Sequence, residues 1–126
     1  MNKNDSVIDY KGRNHPISVV RVNKTVTVRV NGEEILKTKK AYLLNETGHK
    51  PTYYFPIEDV KEGLLKATPS MTVCPYKGKA HYYSLTTESG EFKDSVWQYS
   101  EPTEEFDAIR NYVAFYDTVI DKIEES

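Results

Sequence analysis

Residues 25–30, Thr-Val-Thr-Val-Arg-Val, alternate strictly between polar and apolar. A period of two predicts a half-buried strand with Val26, Val28 and Val30 on its core face. Asn31-Gly32 follows. Both central positions of a type I′ turn need positive φ, which this pair supplies at little cost. The return strand is expected from Glu33 to Lys37. A two-residue loop then sets Arg29 opposite Glu34 and Val28 opposite Ile35, pairing opposite charges and apolar groups. Ala41 to Glu46 and Thr52 to Phe55 read as two further strands, with a turn bracketed by Gly48 and Pro51. Pro56 stops the second of them, since proline lacks an N–H for a ladder but suits a helix start. Glu58 and Asp59 then favour a helix N-terminus, and Val60 and Leu64 lie four apart. A short helix is expected from about Ile57 to Lys66.

The second half continues in the same style. Pro69-Ser70 marks a turn, Met71 to Cys74 a short extended piece, and Pro75 to Gly78 a bend. Lys79 to Thr86 reads as a strand, with Ala80, Tyr82 and Ser84 on one face and His81, Tyr83 and Leu85 on the other. Glu88 to Glu91 forms a hairpin loop, and Phe92 to Tyr99 returns with Trp97 and Tyr99 on a shared face. Pro102 ends that run. Thr103 is a fair N-cap for a short helix to about Arg110. Tyr112 to Tyr116 reads as a closing strand, because its aromatics and Val113 suit a pleat. Residues 1–14 are polar and read as a mobile lead-in. Residues 119–126 are left unassigned, with a frayed acidic end. The pattern predicts one mainly-β domain over residues 15–126, a compact antiparallel sheet or half-barrel with two short helices.

Composition narrows the function classes. A chain of 126 residues suffices for one domain that buries roughly 65% of its unfolded surface without metal or disulfide staples. Charged residues make up 29%, mixed in sign, and the formal net charge is −2. No global basic field is available to grip a phosphate backbone, so nucleic acid is not expected as a partner. No apolar run approaches the roughly 18 residues of a membrane span, and no secretory h-region follows the N-terminus. The expectation is a soluble cytoplasmic protein without a membrane partner, with homodimerisation left open.

One stretch concentrates chemistry. Cys74-Pro75-Tyr76-Lys77-Gly78 holds the only cysteine of the chain, beside a rigid proline, a lysine and a permissive glycine. Cys74 is a candidate nucleophile if Lys77 stabilises its thiolate; the plain alternative is a small buried hydrophobe. Lys77 can hold an anionic group, or form an ion pair with Glu46. Glu46 is a candidate general base, or a solvated carboxylate at a strand end. Among ten tyrosines and one tryptophan, Tyr54, Tyr76, Tyr82 and Trp97 are the foremost candidate walls of a ligand cleft, with Tyr53 and Tyr99 beside them, all having flat apolar faces and polar tips. Most of the remaining aromatics belong to packing. His15, His49 and His81 lack metal-ligand spacing, so neither a metal nor a cofactor is expected.

These boxes resemble a known family. Glu46, Pro51 with Tyr54-Phe55-Pro56, and Asp59-Val60 match it first. Cys74-Pro75-Tyr76-Lys77-Gly78, Ala80, Tyr82, Trp97-Gln98-Tyr99, Pro102 and Ile109 follow, and Tyr112-Val113-Ala114-Phe115-Tyr116 closes the match. The chain is similar in this order and spacing to domain-of-unknown-function family four-two-seven, which also carries a nucleotidyltransferase-like label. The resemblance spans about residues 15–116 and implies a mostly antiparallel fold of the Mss4-like or β-tent-like kind. It implies no established activity. The label finds no support in the residues, which include no phosphate loop and no Asp-x-Asp pair for divalent metal. Thr52 departs from the pattern, standing where many members carry arginine. The functional expectation is a pocket around the Cys-Pro-Tyr-Lys-Gly bend for a small anionic or aromatic molecule. The alternative is a non-enzymatic interaction or structural module in which the same residues serve packing.

Overall fold

The computed structural model of the chain describes residues 6–126. Its strands are β1 (Ser6–Tyr10), β2 (Ile17–Arg21), β3 (Val26–Val30), β4 (Glu33–Thr38), β5 (Tyr42–Glu46) and β6 (Thr52–Pro56). The second half supplies β7 (Leu65–Cys74), β8 (Gly78–Thr87), β9 (Gly90–Pro102), β10 (Tyr112–Phe115) and β11 (Glu124–Glu125). Eight of them form one open antiparallel sheet in the order β1-β2-β5-β6-β10-β9-β8-β7, and β11-β3-β4 form a smaller sheet. The mainly-β antiparallel expectation therefore holds.

The β3–β4 hairpin turns through Asn31 and Gly32, whose φ values are 48° and 86°, as the type I′ reading requires. Arg29 faces Glu34, as expected. Val28, however, faces Leu36, because a bulge between Val28 and Arg29 shifts the register. The closing strand at Tyr112 is β10, and it is central: it pairs with β6 on one side and β9 on the other.

Five further expectations need correction. Pro69-Ser70, expected as a turn, lies inside β7, where the pairing with β8 is irregular between Ala67 and Met71. The described part of the polar lead-in, from Ser6 onwards, contains β1, paired with β2; residues 1–5 lie outside the described residues. The helix expected over 57–66 is a single 3₁₀ turn, Ile57–Asp59. Backbone partners drawn from strands replace helical ones: Val60 bridges Leu36, and the Lys61 N–H donates to the Ile35 carbonyl. Gly63, at φ +83°, turns the chain out of the helical region ahead of β7. The helix after Pro102 is likewise 3₁₀, Glu104–Ile109, and the Thr103 side chain does not cap it. The acidic tail ends in β11, which pairs with β3. Arg29 reinforces it through Glu124 at 2.9 Å, and Tyr53 donates its hydroxyl to Glu125.

Two cores lie on the two faces of the large sheet. Val26, Val28, Ile35, Leu36, Phe55, Val113 and Phe115 share one, where the small sheet packs against the large one. Ile17, Val19, Leu44, Tyr54, Ala80, Phe106, Ile109 and Ala114 share the other. Consecutive residues split between them: Tyr54 and Phe55 on β6, Val113 and Ala114 on β10. A strand buried on both faces reads as a continuous apolar run, not an alternating one. Tyr-Tyr-Phe-Pro and Tyr-Val-Ala-Phe are such runs.

Between β7 and β8 the chain bends tightly, and Gly78 takes φ +115°. A Cβ there would lie 2.7 Å from Pro102 Cα and 2.8 Å from Thr103 N, and would also strike the Glu101 carbonyl oxygen. These are backbone atoms of the adjacent strand and cannot swing aside. Gly78→Ala is expected to cost about 3 kcal/mol in urea unfolding, from strain plus overpacking. Gly32→Ala has positive φ but open space around it, and should cost only about 1–2 kcal/mol. Equal losses at the two positions would show that the close approach at Gly78 carries no weight.

Candidate functional site

Side chains at alternate positions of a strand share a face. On the face bearing the Tyr54 core, this rule brings forward Leu44 and Glu46 from β5, Thr52 and Tyr54 from β6, and Trp97 and Tyr99 from β9. Tyr82 joins them from β8, directly opposite Trp97 in the ladder. Cys74 arrives from the end of β7 and Lys77 from the bend that follows. Together with His49, Lys50 and Tyr116, these residues enclose a cavity of about 390 Å³.

β10 runs between β6 and β9 and places Ala114, fully buried, opposite Trp97. A methyl group at this position leaves room above β10. The Trp97 indole N–H reaches across to the Tyr54 hydroxyl at 3.2 Å, and the two rings meet edge-on with centroids 6.5 Å apart. Burial pushes the Tyr54 and Tyr99 hydroxyls well above the ordinary phenol range.

The polar end of the cavity is built around Glu46. Its Oε1 accepts from Lys77 Nζ at 2.5 Å, and its Oε2 lies 2.8 Å from His15 Nε2. His49, three residues on in the following turn, lies 3.8 Å from the same oxygen. The Glu46 and Lys77 side chains are each only 10% exposed, so this pair is removed from bulk water. Burial alone would raise the Glu46 pKa. The hydrogen bonds from Lys77 and His15, with the Lys77 charge, outweigh it and hold the carboxyl below its ordinary value. The Lys77 ammonium also sits 5.6 Å from the centre of the Tyr99 ring, within cation–π range.

Backbone contacts fix Lys77 in this position. The Thr103 N–H donates to the Lys77 carbonyl at 3.0 Å, and the Thr103 hydroxyl donates to the Tyr76 carbonyl at 2.8 Å. The Lys77 N–H points at Cys74 Sγ at 3.4 Å. Thr103, expected as an N-cap, thus ties the bend to the end of β9 instead.

Six of the seven foremost candidates border this cavity: Glu46, Tyr54, Cys74, Lys77, Tyr82 and Trp97. Tyr76 does not. Its ring stacks on His15 at 4.4 Å and lies 5.6 Å beneath the Arg13 guanidinium. Tyr76 therefore supports His15, which in turn touches Glu46. Cys74 is half-buried with a free thiol. Of the two further aromatics considered for the cleft, Tyr99 borders the cavity and Tyr53 does not. Sequence reasoning did not assign His15, His49, Lys50, Thr52 or Tyr116 to a ligand cavity. No local pattern signals His15, which lies 31 positions from Glu46. Among the described residues, no group of three or more His, Cys, Asp or Glu side chains is arranged to hold a metal. No helix among them is long and apolar enough to cross a membrane.

The family described as a domain of unknown function (DUF427) matches residues 18–126. The match spans most of the chain, which therefore belongs to that family. No curated protein matches it.

Removing one member of a buried ion pair strands the other charge, at a cost of about 3–5 kcal/mol. Lys77→Met should lose that much in urea unfolding, and adding Glu46→Gln should recover part of it. A double variant as unstable as Lys77→Met alone would count against the pair. The pH dependence has a definite sign. A carboxyl whose folded pKa is depressed stabilises above its unfolded pKa and loses that contribution as pH falls through the folded value. Stability should therefore decline below the ordinary glutamate value of 4.5, and Glu46→Gln should flatten that decline. An unchanged acid limb in the variant would refute the assignment.

Proposed function

We propose that this member of the family binds a small molecule carrying a flat ring and one negative charge, in the cavity floored by Glu46 and Lys77. The observation that carries the reading is a buried, hydrogen-bonded ion pair opening onto an aromatic-walled cavity of about 390 Å³. Small-molecule sites typically have roughly 300–1,000 Å³, apolar and aromatic walls, and a few convergent polar groups.

Charge supports an anionic guest. Among lysines and carboxylates, Lys77 and Lys50 border the cavity with one carboxylate, Glu46, so cations outnumber anions there by one. An ammonium has three donors, and Glu46 takes one from Lys77. The others can serve a carboxylate or similar group. Trp97, Tyr54 and Tyr82 offer flat faces and polar edges to a ring. In this reading Glu46 orients Lys77, and Cys74 contributes wall. Binding, and no reaction, is assigned to these residues.

Trp97 is the only tryptophan and lines the cavity, so its emission reports occupancy directly. Titration with benzoate, 4-hydroxybenzoate and indole-3-acetate should change that emission saturably, while acetate should not. Lys50→Ala removes an exposed cation and should weaken binding about tenfold, in line with the loss of one charge-assisted hydrogen bond. Emission that stays constant across the aromatic acids to millimolar concentration would overturn the reading.

One observation favours a second reading, an interaction module. Met71 and Val73 are 52% and 69% exposed on β7, an outer strand of the large sheet. Unpaired strand edges with apolar side chains are templates for pairing with another chain. Under this reading a Val73→Lys variant loses a self-association that sedimentation detects in the parent protein. A parent that sediments as a monomer at all concentrations would remove self-pairing as its basis.

A further inference from the structure

β5 carries a second cavity at its other end. Tyr42 and Glu46 lie on the same face of the strand, four residues and therefore roughly 13 Å apart. Glu46 borders the cavity described above. Tyr42 borders another, of about 260 Å³, with Arg21, Asn23, Lys39, Lys40 and Tyr112. The geometry points to a separate binding site here, for a single-ring aromatic anion.

Two features build it. The first is a flat aromatic surface: Tyr42 and Tyr112 stack with centroids 4.2 Å apart and planes 9° from parallel. The second is a cationic rim on a fixed backbone. The Lys40 N–H donates to the Thr38 hydroxyl at 3.0 Å, and that hydroxyl donates to Asp59 at 2.6 Å. The Tyr112 hydroxyl donates to the Lys40 carbonyl at 3.1 Å, and the Val22 N–H donates to the Ala41 carbonyl at 3.0 Å. The loop between β4 and β5 is thus held on both sides. Its lysine side chains stay exposed, and among the described residues neither Lys39 nor Lys40 joins an ion pair.

The charges facing the site are of both signs. Arg21, Lys39 and Lys40 are the cations, while Glu58 and Asp59 lie near Tyr112. Asp59 keeps its charge while accepting from the Thr38 hydroxyl, on the Tyr112 side of the site. Lys39 and Lys40 are adjacent and exposed, so their like charges repel one another, and an anion between them relieves that repulsion. The volume is at or below the low end of small-molecule sites, which limits the guest to about one ring. A carboxylate and a phosphate monoester meet the same cations, so the two are separated by experiment.

Amide NMR of the whole chain, titrated in turn with phenyl phosphate, benzoate, inorganic phosphate and phenol, tests the site. Phenyl phosphate or benzoate should shift the amides of residues 21–23 and 39–42 saturably, and the tighter of the two identifies the anionic group. Inorganic phosphate and phenol should each bind at least tenfold more weakly. The exposed pair Lys39→Ala/Lys40→Ala should weaken binding at least tenfold, and Lys50→Ala at the other cavity should not. The proposal is overturned if saturable shifts appear only around Glu46 and Lys77. It is also overturned if inorganic phosphate binds as tightly as phenyl phosphate, or if the double variant binds normally. Because its readout is confined to residues 21–23 and 39–42, its outcome is independent of the first cavity.

Discussion

The contact between Glu46 and Lys77 joins positions 31 apart in sequence at the place where three separate pieces of chain converge. β5 delivers Glu46, the bend after β7 delivers Lys77, and the segment ahead of β2 delivers His15. Taking two charges out of water is costly, and a simple pair often fails to recover that cost. Here the carboxylate spreads its lone pairs over two donors and the ammonium gains an aromatic face. The bend must also be stapled to Thr103, because a lysine free to swing outwards would return to solvent. Local geometry at Gly78 and Thr103 and the charge arrangement at Glu46 are therefore parts of one constraint.

The two-sided sheet supplies the setting. Its inner strands, β6 and β10, bury both faces, so the larger core can be apolar while the opposite face carries hydroxyls, an indole and charges. Separating the tasks by face explains how a chain with many tyrosines avoids stranding their polar tips. Among the described residues, no buried side-chain nitrogen or oxygen lacks a hydrogen-bond partner. The Tyr54 hydroxyl meets Trp97, the Tyr83 hydroxyl meets Gln98, and Gln98 reaches the Arg110 carbonyl.

Much of this was legible in the sequence where local rules act alone. The hairpin at Asn31-Gly32, the class of the fold and the clustering of candidate residues follow from alternation, turn chemistry and crowding. The errors fall where tertiary partners override local preference. Pro56-Ile57-Glu58-Asp59 looks like a helix start, yet the backbone groups beyond it pair with β4. Thr103 has the chemistry of a cap but serves the bend instead. Ile35 was displaced from its expected partner by a bulge that no residue type announces. Tyr76 was expected in the cleft wall but stacks on His15 instead, because a bend, unlike a strand, imposes no alternation. Convergence of Glu46 with Lys77 could be named as an option from charge but decided only by the fold.

The split of Tyr54 and Phe55 between two cores bears on how such a site can diversify. Inserting or deleting one residue in β6 would exchange every inward and outward side chain beyond that point. A phenol would enter the apolar interior and a phenyl ring would replace it in the cavity wall. Lineages descending from this architecture can therefore revise the cavity through point substitutions on its lining. Changes in length fit better in the turns, such as the one at Gly48, where no alternation of side chains is at stake.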